Sequence, residues 1–209
     1  MAASAADART PIDHSHRIMQ NLAGQWKHIP RDMVSWLVEK GVDASAILTS
    51  LVSAEDLAWV LDTFPGLDLD YDPSDHDDEC DEMDPVNWHP MNSFAGRGMT
   101  EHLRVMLDHG VPADGYKPDE LTPLYTALEH GYLEAAALLL ERGARRRIPD
   151  ADVIIYEERA SLEVVKFIFE NGIEFDDFAG RIKKMARFGD GVAAYLRAKR
   201  PALFSKMKK

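Results

Sequence analysis

At 209 residues, with 45% hydrophobic and 29% charged residues and a mean hydropathy of −0.30, the chain sits near the average of folded soluble proteins and outside the disordered and fibrous classes. No apolar run approaches the roughly 18 residues that a bilayer span requires, no apolar stretch follows a basic start in residues 1–13, and one cysteine, Cys80, excludes an internal disulfide framework, so a cytoplasmic protein is expected. The net charge of −12 is uneven: ten Lys and Arg against Asp190 give residues 181–209 a charge of +9 and leave −21 for residues 1–180, a field that repels phosphate backbones and speeds encounter with cationic partners, when it does more than secure solubility.

In chain order, one pattern recurs: an acidic or polar start, an apolar triplet, two polar residues and a glycine. Trp36-Leu37-Val38 leads to Gly41, and a first helix near residues 44–52 then precedes Trp59-Val60-Leu61, which reaches Gly66 after two extra residues. Residues 68–84 are crowded with carboxylates. Val105-Met106-Leu107 leads to Gly110, Leu138-Leu139-Leu140 to Gly143 and Phe167-Ile168-Phe169 to Gly172, while Ala194-Tyr195-Leu196 has no glycine and reads as a terminal cap. Apolar residues at such helical spacing, including Trp36, Trp59, Leu139 and Phe167, predict the seam of stacked helix pairs rather than an aromatic ligand pocket.

The segment 121–144, LTPLYTALEHGYLEAAALLLERGA, resembles an ankyrin repeat. Thr122, Pro123, Leu124, Ala127, Gly131, Leu138, Leu139, Gly143 and Ala144 match the family pattern, with Tyr125 in place of the usual histidine; in the repeat before it H-P-M-N stands for T-P-L-H. Pro123 suits the first helical turn, Gly131 a tight turn between helices, and Gly143 a left-handed cap. The resemblance implies an all-α solenoid of ankyrin-type helical repeats with short hairpin loops, about six of them in residues 15–200, terminal ones degenerate. Residues 1–14 are read as a flexible start and 201–209 as a basic tail. Gly110 to Gly143 spans the family's period of 33; Gly66 to Gly110 spans 44, one repeat plus an insertion of eleven placed near residues 75–84. The intervals Gly143 to Gly172 and Gly172 to Gly189 fall short by four residues each, which predicts stunted fingers.

Candidate chemistry is sparse. Residues 68–79 set Asp68, Asp70, Asp72 and Glu79 at positions 1, 3, 5 and 12 of a calcium loop, but Pro73 stands where that loop needs glycine and Asp75 where it takes an aliphatic residue. Loose cation attraction is the stronger reading and specific calcium binding the lesser alternative. His76, Cys80 and His89 match no structural zinc spacing, and the acidic neighbours of Cys80 disfavour its thiolate. Gly96 and Gly98 follow no strand and lack a third glycine, so they form no phosphate loop. His102 and His109 read as polar positions flanking the core seam. With no nucleophile-elbow, metalloprotease or Walker motif, the chain is read as no enzyme, without cofactor, metal or catalytic residues. The basic tail reads as a charged terminal helix shielding the last repeat, with nucleic acid or an acidic membrane as the lesser alternative.

The family binds proteins through hairpin tips and the inner face of its first helices. Carried over, this implies partner-binding positions at Tyr116, Pro118, Asp119, Leu121, Glu129 and His130, and, one repeat earlier, at Met83, Pro85, Val86, Trp88, Gly96 and Arg97. Trp88 and Tyr116 are the expected anchors, rimmed by carboxylates such as Asp70 and Asp72; Arg145, Arg146 and Arg147 sit ambiguously on a stunted finger. The expected role is capture of a basic protein on an acidic concave face, as an inhibitor or bacterial immunity or antitoxin-like protein, with no nucleic acid on the acidic body, no membrane, and a monomer when alone. A scaffold or regulatory adaptor in a larger assembly is the alternative.

Overall fold

Thr122 starts the helix that shows the plan most clearly. Its hydroxyl accepts the Tyr125 N–H at 3.2 Å, and Pro123 takes the first helical position, where a missing N–H breaks no intrahelical bond. Ser53 and Ser161 cap two other helices the same way, accepting from Asp56 N at 3.0 Å and Val164 N at 3.2 Å. The computed structural model describes residues 30–40, 45, 48, 53–67, 69, 89–116, 121–148, 161–175, 190–199 and 201. Among them the helices are α1 (Arg31–Glu39), α2 (Ala54–Thr63), α3 (Pro90–Gly96), α4 (Thr100–Asp108), α5 (Pro123–Glu129), α6 (Leu133–Glu141), α7 (Leu162–Glu170) and α8 (Asp190–Lys199). Two short strands, β1 (Arg147–Ile148) and β2 (Glu174–Phe175), pair in parallel, Arg147 opposite Glu174.

The helices form two layers of a solenoid. α3 packs on α5 in one layer; α2, α4 and α6 pack in sequence in the other; α3 with α4 and α5 with α6 form the helical hairpins, and α8 rests on α7. Between α3 and α4 the chain turns with Gly98 N–H bonded to Ala95 O and Met99 N–H to Phe94 O. Thirty-three residues on, Gly131 bonds to Leu128 and Tyr132 to Ala127. The second helices end alike: Val111 N–H reaches Met106 O, Ala144 reaches Leu139, and Ile173 reaches Ile168. Leu103, Met106, Leu124, Leu139, Val165, Ile168 and Leu196 are fully buried in one continuous core.

Three expectations are corrected. Trp36 is 55% exposed: Val34 and Leu37, three apart, take the inward face of α1, and the Trp36 ring lies beside the Lys40 ammonium instead. His102 does not flank the seam but joins it, 6% exposed with its ring 5.0 Å from that of Phe94. Gly66 does not cap the helix before it. α2 stops at Thr63, Phe64 N–H closes on Val60 O at 3.0 Å, and Pro65, having no N–H, cannot extend the helix; Gly66 is also absent from the glycines with positive φ. Ser45 and Leu48, in the expected first helix of that repeat, are buried.

Candidate binding surface

α3 and α5 are buried at every position from Pro90 to Ala95 and from Pro123 to Leu128. Each is a seven-residue helix, about 10 Å long, so these two helices expose side chains only at their ends. At the N-terminal end Tyr116 is 40% exposed, its ring 6.1 Å from that of His89, the N-cap of α3. Leu121 is half-buried there, and its carbonyl accepts the Asn92 Nδ2 amide at 3.0 Å, tying one repeat to the next. At the C-terminal end stand exposed Arg97, which caps α3, half-buried Glu129, and exposed His130, which caps α5 with Nδ1 3.0 Å from Thr126 O. The expected binding residues thus fall on two rims separated by a helix length rather than on one patch. Trp88, Asp119, Asp70 and Asp72 lie outside the described residues, as do the acidic insertion, His76, Cys80, Met83, Pro85, Val86 and Pro118.

The C-terminal rim holds a residue that sequence reasoning passed over. Tyr132 is 41% exposed and stacks on His130, centroids 6.4 Å apart and planes 10° apart. Its ring also covers the turn at Gly98 so closely that a Cβ there would fall 2.4 Å from Tyr132 Cδ1. The available signal was the period itself, since Tyr132 occupies the place of Met99 one repeat earlier.

The outer layer spends several of its charges on its own joints. Arg142 Nη1 meets Asp108 Oδ1 at 2.6 Å, and Asp114 receives both the Arg145 guanidinium at 3.2 Å and the Arg145 backbone N–H at 2.8 Å. Arg146 Nε donates to Asn171 O at 3.0 Å, and Arg147 belongs to β1. These arginines therefore bridge neighbouring repeats. Exposed pairs of this kind contribute about 0–1 kcal/mol each. Burial, helped by Glu170, pushes the Tyr195 hydroxyl's pKa up, and its ring meets Phe169 edge-on beneath the last helix. Among the described residues no group of three or more His, Cys, Asp or Glu could hold a metal ion, and no helix is long and apolar enough to cross a membrane.

A family model described as ankyrin repeats, in three copies, matches residues 65–150. These are ankyrin repeats. A curated protein of Rickettsia felis, named as an ankyrin repeat protein, is 34% identical over 97 residues, 43% of this chain. The chain spans 32% of that relative's length. Ankyrin repeats are in general protein-interaction modules without enzymatic activity of their own. The matched stretch holds α3 to α6 and therefore both rims of the ankyrin inner layer.

Proposed function

We propose that the chain is a non-enzymatic binding protein that captures a basic protein, one to one, across the rims of its ankyrin inner layer. The observation that carries this reading is Tyr116, a large ring left 40% exposed at the hairpin end of a layer whose helices are otherwise buried. Aromatic rings bury much area at small entropic cost and dominate interface energetics. The charge of −21 over residues 1–180 selects cationic surfaces and steers their approach. Within this reading the chain works in the cytoplasm, alone as a monomer, and its sharper form is an inhibitor of the immunity or antitoxin kind. The acidic stretch 68–84 supplies attraction rather than a dedicated calcium site.

The test is capture from a native lysate, purification of the captured protein, and titration against the intact chain, Tyr116→Ala and Trp88→Ala. Each substitution should cost about 2 kcal/mol, roughly thirtyfold in Kd, and the association rate should fall steeply with ionic strength. Binding that both variants retain unchanged would remove the surface assignment. Several partners indifferent to salt would assign a scaffold instead.

A further inference from the structure

His109 caps α4 at the boundary between the irregular N-terminal part of the solenoid and its regular block. Its Nδ1 lies 2.8 Å from the Val105 carbonyl oxygen and its Nε2 3.1 Å from Asp62 Oδ1, at the end of α2. Both neighbours are acceptors: a carbonyl has no hydrogen to give, and neither has an ionised carboxylate. A neutral imidazole carries one N–H and one lone pair, so it satisfies one neighbour and sets a lone pair against the other. Only the imidazolium donates to both.

We propose that His109 is a proton-operated clasp between α2 and α4, closed by a bond to Asp62 when the ring is charged and opened when it is neutral. The charged groups that face it among the described residues are Asp62, from α2, and Asp108, on its own helix and held by Arg142, the C-cap of α6. Both carboxylates favour the closed state. With Leu61, Phe64, Pro65, Leu67 and Leu69, His109 lines a niche of about 170 Å³. The bond to Val105 foremost, and then Asp62, outweigh partial burial and raise the ring's pKa above its ordinary value of 6.5. A folded-state pKa above the unfolded one means that the clasp contributes fully below pH 6.5 and is lost as pH climbs through the raised value. The element it releases, α2, ends at Thr63, ahead of the carboxylate-rich stretch 68–84.

The experiment is amide hydrogen exchange of α2, compared at each pH from 5.5 to 8.5 among the intact chain, His109→Asn and Asp62→Asn, with the imidazole of His109 titrated by NMR in the intact chain and Asp62→Asn. At pH 5.5 the intact chain should protect α2 about 3- to 5-fold better than either variant, the range of a partly exposed ion pair, and the ratio should fall to one above the pKa of His109. That pKa should exceed 6.5 and drop in Asp62→Asn. A protection ratio that does not change with pH, or a His109 pKa that Asp62→Asn leaves in place, would overturn the proposal and leave His109 as packing alone.

Discussion

Two consecutive repeats, residues 89–116 and 122–148, share one backbone and divide its chemistry. Their turns, helix lengths and helix-end bonds coincide at a shift of 33 residues. The side chains on that frame do not. The earlier repeat starts α3 from His89, with no side-chain cap bond, where the later one has the bonded cap Thr122. Asn92 reaches forward to the Leu121 carbonyl, while its counterpart Tyr125 fills the same place with a buried ring. Gly98 lies under the ring of Tyr132, whereas among the described residues a Cβ at Gly131 would meet only Val164 Cγ2, at 3.9 Å. The period fixes main-chain geometry, and each joint is then finished by whatever the next repeat brings to it.

Three pairs of substitutions at matched positions break or sharpen this comparison. The largest effect belongs to what the repeats share. Met106→Ala and Leu139→Ala, each at a fully buried site, should each cost about 3 kcal/mol in urea unfolding; a loss at one and not the other would show that the two cores are unequally loaded. Next comes the turn. Gly98 and Gly131 both have positive φ, 66° and 76°, so alanine at either costs about 1 kcal/mol in backbone strain, but at Gly98 the new Cβ also strikes Tyr132. Gly98→Ala should therefore cost about 2 kcal/mol or more, part of it recovered when Tyr132→Ala is added; equal losses at the two glycines would mean that the ring moves aside freely. The smallest effect is the cap: Thr122→Ala should lose about 1 kcal/mol, and His89→Ala, which removes no cap bond, clearly less.

What could be read from the sequence follows the same division. Pro123, Gly131 and Gly143 announce their roles because first turn, tight turn and helix end each demand a particular backbone chemistry, and the structure places them accordingly. The helix-end positions Arg97, Glu129 and His130 came from the resemblance to ankyrin repeats. That they form a rim apart from Tyr116 did not, since it depends on how completely α3 and α5 are enclosed by their neighbours. Trp36 and His102 were misplaced for a related reason: on a short helix one position decides between core and solvent, and the choice belongs to the packing partner. The pair Asp62 and His109 lies 47 residues apart, across the carboxylate-rich stretch 68–84, so no spacing rule could point to it.

The ion pairs that cross the joints, Asp108 with Arg142 and Asp114 with Arg145, bear on elasticity. A solenoid bends where its repeats meet, and these bonds sit at the meeting points while the apolar seam runs beneath them. Salt weakens these outer bonds, so the joints should loosen modestly as ionic strength rises. The same ions would screen the cationic partner proposed above, so raising their concentration would slow its arrival and loosen the joints of the surface proposed to receive it.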